Sequence, residues 1–434
     1  MRAVLGLSFL ASALAFTPGF PYGSEAVRGV NLGGWLVLEP WITPSLFDDT
    51  GNANIVDEWT FGQLQDRATA TAALTNHWNT FITESDFAAI KNAGLNHVRL
   101  PIGYWAFEVG PGEPYIQGQL AFLTKAITWA TNNELKLIID LHGAPGSQNG
   151  FDNSGHRISF PQWHSNSTNV QRTDAIIMTI ANMVKNNPTN VPIIAPLNEP
   201  AGFDGADVLT VTRQYWFDSY GNIRFPFGSS QQSKACVILS TEFIYVIAHL
   251  LGNTVVLIHD AFQPLSFWDG VLTLPDQGVA MDTHIYTIFS VPEVQMSQAQ
   301  HISTVCEKAE DLSTFDLWLI VGEWTPAFTD CAKYLNGRGI GSRYDGSFPG
   351  TSSTRVGSCT GLSGSASSFS SSYKTFLRQF WEAQVITYEK GQGWIQWLWK
   401  TESGTGEEWS YQQGLAHGWI PQDPTDRMFP DVCG

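Results

Sequence analysis

Two glutamates stand where apolar runs stop. In "PIIAPLNEP" (192–200) the run reaches Asn198 and Glu199 and is halted by Pro200. In "LWLIVGEW" (317–324) a second run ends at Gly322, Glu323 and Trp324. A single glutamate at a strand end is most often a salt-bridged rim residue. Two of them across one pocket can break a glycosidic bond: one protonates the leaving oxygen, and the other acts on the anomeric carbon as nucleophile or base. Other run ends carry matching groups, namely Arg99, His142, His284, Tyr286, Trp397 and Trp399. Such residues on six separate run ends are hard to explain as rim decoration.

Eight apolar runs must bring these ends together: residues 27–32, 97–101, 136–141, 192–197, 255–259, 279–284, 317–322 and 393–398. They are nearly continuous in Val, Ile and Leu, as parallel strands buried on both faces require. Amphipathic segments at 84–94, 118–133 and 372–389 lie between some of them, and Gly94 and Gly391 mark helix ends. Eight strands alternating with helices predict an α/β fold, a single-domain (β/α)8 barrel with its site at the C-terminal ends of the strands. The doubly wound alternative needs a G-x-G-x-x-G fingerprint after the first strand, and "GVNLGGW" lacks it. A Ser/Gly-rich stretch at 350–372 has linker composition. A helix and a strand needed to close the barrel follow it, so it reads as a surface loop.

Composition narrows the partners. The 434 residues are 43% hydrophobic and 15% charged, typical of a well-packed globular chain. Forty acidic residues against 23 basic ones give a net charge of −17, and no basic run interrupts this. Phosphate backbones would be repelled, so nucleic acid is an unlikely partner class; a neutral sugar polymer is not. Neither C-x-x-C nor H-E-x-x-H occurs, so no metal and no cofactor is expected. "MRAVLGLSFLASALA" (1–15) has the charge, apolar core and small-residue end of a signal peptide, and that core is too short to span a bilayer. The expectation is a monomeric protein that is secreted, in the medium or the cell wall, with residues 16–434 forming the catalytic domain. Five cysteines suit an oxidising compartment but leave one over, and Asn166-Ser167-Thr168 offers a glycosylation site.

At its chemistry-bearing residues the chain resembles glycoside hydrolase family five, and within it the fungal exo-β-1,3-glucanases. "RGVNLGGWLVLEPWITPSLF", "HVRLPIGYW", "DLHGAPGSQNGFDNSG", "LNEP", "DTHIY", "GEW" and "WLWKTE" match in order across nearly the whole chain after residue 15. The resemblance implies a retaining double displacement on β-glucan polysaccharide and oligosaccharides, with Glu199 as acid/base and Glu323 as nucleophile. Arg99 and Tyr286 would stabilise ionised Glu323, whereas a water-poor site and the charge of Glu323 would keep the proton on Glu199. Asn198 suits the sugar 2-hydroxyl. His142 and His284 belong to the site because both end strands, and Trp397 offers a stacking floor. The resemblance further implies that Glu39 binds the non-reducing terminal glucose, that Phe151 and Phe289 flank the pocket entrance, and that Asn153, Glu293 and Trp409 contact sugar. It pairs Cys306 with Cys433 and Cys331 with Cys359, leaving Cys236 free. The rival readings are an endo-acting family-five β-glycanase on β-1,4 or β-1,6 glucan, and an inactive carbohydrate-binding barrel. The second would be expected to lack a catalytic glutamate, and both are present.

One segment stands apart. "KACVILSTEFIYVIAHLLG" (234–252) is far more apolar than the loops around it and carries the unpaired Cys236. The expectation is an insertion, preferentially a retained intron translated in frame. Its removal would join Ser233 to Asn253 and leave four cysteines.

Overall fold

The computed structural model describes residues 16–224, 252–272, 278–351 and 355–434. The predicted signal peptide, Cys236 and all of the 234–252 segment except Gly252 lie outside the described residues.

Eight parallel strands close into a barrel in sequence order. They are β1 (Val27–Asn31), β2 (His97–Gly103), β3 (Lys136–Gly143), β4 (Ile193–Ala195), β5 (Val255–His259), β6 (Val279–Ile285), β7 (Trp318–Trp324) and β8 (Gly393–Gln396). Each corresponds to one of the predicted apolar runs, and the predicted single-domain barrel is the observed fold. Closure is made by β8 returning to β1, with Val27 opposite Gly393 and Val30 opposite Gln396.

Continuous apolar runs conceal an alternation that the fold sorts out. Ile138, Ile193, Val255, Leu257, Ala280, Ile320 and Ile395 pack together as one cluster, sealed by Phe20 and Tyr22. Their strand neighbours, such as Leu137, Ile139, Ile194 and Val256, join the larger cluster shared with the helices. The three predicted helices form as Glu84–Asn92, Gln119–Asn132 and Ser371–Tyr388. Thr83 and Asp86 make a capping box at the start of the first, and Gly94 follows it at φ +75°.

Both expected disulfides are present, Cys306–Cys433 and Cys331–Cys359, each with its Cα atoms 5.4 Å apart. Among its described residues, the Ser/Gly-rich stretch up to Ser370 is loop apart from a 3-10 turn at Ala366–Ser368. Cys359 pins its middle, and Glu407 accepts a hydrogen bond from the Ala366 N–H at 2.6 Å. The helix Ala206–Arg224 precedes β5, and the Gly252 N–H donates to the Arg224 carbonyl at 3.0 Å. Among the described residues no helix is long and apolar enough to cross a membrane.

Candidate active site

The polar residues rise from the barrel strands as an interlocked layer. Arg99 is not at the end of β2 but at its third position, opposite Asn31 of β1, and is fully buried. Its Nη1 donates to Asn31 Oδ1 at 3.0 Å and to Glu323 Oε1 at 2.9 Å. Its Nη2 donates to Asn198 Oδ1 at 2.8 Å and pairs with Asp140 at 3.2 Å. Burial alone would lower its pKa; the charges of Asp140, Glu323 and Asp282 raise it, so the guanidinium stays charged. Gly322 is required by close approach, since a methyl group there would meet Asp282 Oδ1 at 2.0 Å.

Both glutamates reach the same cavity. Glu323 Oε2 accepts from the Tyr286 hydroxyl at 3.0 Å. Burial and then the charge of Glu323 push the Tyr286 pKa well up, so that hydroxyl remains a donor. Glu199 follows β4 at φ +46°, a left-handed conformation costing about 1–3 kcal/mol in a non-glycine residue. Gln148 holds this turn, donating from Nε2 to the carbonyls of His142 at 2.8 Å and Asn198 at 2.9 Å. The run therefore halts at "NEP" because the backbone turns there to carry the Glu199 carboxylate inward. Glu199 Oε1 accepts from His284 Nδ1 at 2.7 Å, and the Asn153 amide donates to Oε2 at 3.4 Å. The same His284 nitrogen lies 3.5 Å from Glu323 Oε2. The nearest oxygens of the two carboxylates are thus no farther apart than those two His284 distances laid end to end.

The electrostatics run opposite to the sequence expectation at both glutamates, with Glu199 shifted down and Glu323 shifted up. Burial would lower the His284 pKa, but Glu323 and Asp282 raise it well above the usual histidine value, so the ring is an imidazolium. Burial raises Glu199, yet the hydrogen bond and charge of His284 bring it below an ordinary glutamate. Glu323 is raised by burial, opposed by the His284 charge and reinforced by Glu199. In the substrate-free site the proton expected on Glu199 therefore rests on His284. The three groups exchange charge as one unit.

Glu199, His259 and His284 also form a grouping of metal-ligand atoms within 4.8 Å of one another. Their chemistry does not fit an ion. The Ala261 N–H donates to His259 Nδ1 at 2.9 Å, and burial followed by the His284 charge keeps that ring neutral. Its proton is then on Nε2, and neither nitrogen has a free lone pair.

Over these groups lies a cavity of about 430 Å³. The chain matches the family model described as Cellulase (glycosyl hydrolase family 5) over residues 63–329. The chain belongs to glycoside hydrolase family 5. It is 44% identical over 419 residues to a protein of Blumeria graminis named glucan 1,3-beta-glucosidase, covering 96% of this chain and 91% of that one. It is 42% identical to a probable glucan 1,3-beta-glucosidase A of Aspergillus niger, covering 100% and 98%. Among solved structures it is similar in fold to a rutinosidase from Aspergillus niger, with a TM-score of 0.67 at 18% identity over 92% of this chain and 99% of that one.

The family 5 cavity gathers most of the residues singled out in the sequence. Glu39, Phe151, Asn153, Glu199, Tyr286, Phe289, Glu323, Trp397 and Trp409 line it. Arg99, His142, Asn198 and His284 stand behind them, with His142 stacked on Trp397 at 5.6 Å and 15°. Glu39 Oε2 accepts from Trp41 Nε1 at 2.9 Å, whereas Oε1 is buried without a partner, and burial raises the Glu39 pKa well above normal. Glu293 is not among the residues lining the cavity. Its carboxylate closes a capping box, accepting from the Ser290 N–H at 2.7 Å. Trp399 is also elsewhere, in the core, donating to Asp86 at 3.0 Å. Asn166 is exposed and caps the helix Ser167–Val184. Sequence reasoning missed Asp152, Phe203, Phe262 and Arg343, which also line the cavity. Asp152 sits inside the quoted "GFDNSG" and Phe262 lies three residues past the run 255–259; Phe203 and Arg343 carried no signal.

Proposed function

We propose that this family 5 chain is a secreted, retaining exo-β-1,3-glucanase that releases glucose from the non-reducing ends of β-1,3-glucan. The observation that carries the retaining mechanism is the reach of one nitrogen, His284 Nδ1, to both Glu199 and Glu323. Retaining enzymes hold their carboxyls about 5–5.5 Å apart, inverting ones about 6.5–9.5 Å to admit a water. The bound set by His284 favours the shorter class. Glu323 attacks the anomeric carbon as the glycosidic C–O bond breaks, and Glu199 protonates the departing oxygen. Water then attacks the glucosyl ester, Glu199 takes its proton, and the Glu323 carboxylate is released. Arg99 and Tyr286 stabilise that carboxylate as leaving group. For the first step Glu199 draws its proton along the 2.7 Å bond from His284.

Exo action is supported by Glu39, which lines the cavity with Oε1 left unpartnered, and the β-1,3 linkage by the names of the relatives. Two disulfides support an oxidising destination, reached through the leader at residues 1–15 and as a monomer. Early-time product analysis on laminarin tests the reading. Glucose alone, released first as the β-anomer by NMR, is expected; a ladder of oligosaccharides favours the endo-acting alternative, and initial α-glucose refutes retention.

A further inference from the structure

Glu58 is a buried carboxyl group that no step of the reaction uses. It opens the short helix Glu58–Gln63, is 1% exposed and does not line the cavity. Three N–H groups from three parts of the chain converge on it. Its Oε2 accepts from the Leu38 N–H at 2.9 Å. Its Oε1 accepts from Trp105 Nε1 at 2.7 Å and from Gln119 Nε2 at 3.2 Å. A well-packed apolar side chain would cost less to bury than this group. What the carboxyl adds is direction, because a satisfied polar network fixes where its donors meet.

Two of those donors lead to separate walls of the pocket. Leu38 immediately precedes Glu39, which lines the cavity from the loop after β1. Trp105 lies against the loop after β3, where a methyl group on Gly155 would strike its ring at 2.3 Å. That loop carries Phe151, Asp152 and Asn153 to the cavity. The neighbours of Glu58 hold the same loop directly. Asp57 Oδ2 accepts from the Arg157 N–H at 2.6 Å, and the Trp59 N–H donates to the Gly155 carbonyl at 2.8 Å. Trp59 also stacks on His156 at 4.1 Å and 4°. Residues 57–59 thus staple the loop after β3 to the loop after β1, and Glu58 supplies the grip on Leu38.

We infer that Glu58 is a positioning residue for exo action. It holds Glu39 at the spacing from the loop after β3 that closes the pocket beyond one glucose. The inference rests on the glucanase reading above.

The test is early-time product analysis on laminaritetraose, with kcat and KM, for the wild type, Glu58→Leu, Glu58→Gln and Gln119→Leu. Glu58→Leu and Glu58→Gln are also made in a Glu39→Ala background. The wild type is expected to form glucose and laminaritriose first. Glu58→Leu frees both wall donors, so KM should rise roughly tenfold with kcat little changed, and laminaribiose should join the first products. Glu58→Gln keeps one acceptor oxygen and should fall between the two. Without the Glu39 carboxyl, Glu58→Leu should raise KM by no more than roughly twofold, because the group it positions is gone. Gln119→Leu removes the third donor and leaves both wall donors in place; it should lower Tm and keep the wild-type products. Wild-type KM and products in Glu58→Leu overturn the inference while the glucanase reading stands. So does a KM effect equal in both backgrounds, or the same product shift in Gln119→Leu. If Glu58→Leu does not fold, Glu58→Gln in the two backgrounds decides by the same criteria. A wild type that itself forms laminaribiose first overturns exo action and this inference with it.

Discussion

His284 and Glu199 share a 2.7 Å hydrogen bond inside the barrel mouth, and that bond decides where the resting proton lies. His284 is held as an imidazolium chiefly by Glu323 and Asp282, against the effect of burial. Replacing it by glutamine removes a positive charge from beside both glutamates. Each carboxylate is then less stabilised and binds its proton at higher pH. Both limbs of the kcat/KM profile of His284→Gln should move upward in pH. Limbs that stay in place would show His284 to be neutral in the wild type.

The roles of the two glutamates separate by stereochemistry. In Glu323→Ala with added azide and an activated glucoside, azide attacks directly in place of the carboxylate, and one inversion gives α-glucosyl azide. In Glu199→Ala the glucosyl ester still forms with a good leaving group, and azide attacks it to give β-glucosyl azide. Without azide, each variant should lose several orders of magnitude in kcat on laminarin. Exchanged product anomers would exchange the roles.

Trp41 donates to Glu39 at 2.9 Å and leaves the other Glu39 oxygen free. Trp41→Phe keeps an aromatic ring against Trp409 but removes the donor, so Glu39 loses its fixed orientation. Losing one hydrogen bond to a carboxyl should cost about 1–2 kcal/mol of substrate binding, roughly a tenfold rise in KM with kcat little changed. An unchanged KM would show that Glu39 needs no such support.

Glu408 is completely buried, and the Ser363 side chain and Gly364 backbone near its carboxyl group offset that burial only in part. Burial pushes its pKa up to about 8. The folded protein thus holds a proton that the unfolded chain releases near the ordinary glutamate value. This contribution to stability is complete below about pH 4.5 and is lost as the pH rises through about 8. The Tm of the wild type should fall between pH 5 and pH 8, and Glu408→Gln should flatten that slope. Equal slopes would assign the loss to other groups.

The strands were legible because parallel barrel strands are apolar on both faces, and that leaves a mark in the sequence. The two glutamates were legible because each breaks such a run. Arg99 was placed at a strand end rather than within the strand, since a run of letters does not reveal that the barrel has a polar upper layer. Glu293 was read as a sugar ligand although Ser290-Val-Pro-Glu293 spells a capping box, a local signal that outweighs position in a loop. The charge on His284 was not legible at all. It depends on Glu323 arriving from β7 beside Asp282 and His284 of β6, a meeting across strands that no spacing encodes. Phe203 was invisible for a similar reason: one phenylalanine in a loop acquires meaning only when Phe151 and Phe262 arrive beside it.

The hydrogen bond from Gly252 to Arg224 joins two points that the chain separates by residues 225–251. Those points lie where a helix ends and just before β5 begins, at the face of the barrel opposite its mouth. Ends that already touch form a port: chain can be added or removed between them at a closure cost that grows only with the logarithm of its length. A protein lacking 234–252 gives up the Gly252 bond itself but keeps residues 225–233 to span from Arg224 to Asn253, so it is expected to keep its barrel and its turnover, and loss of folding on that deletion would make the segment part of the fold. The same port should accept a foreign module, such as a fluorescent domain or a wall-anchoring tag, carried on the far side of the enzyme from its substrate.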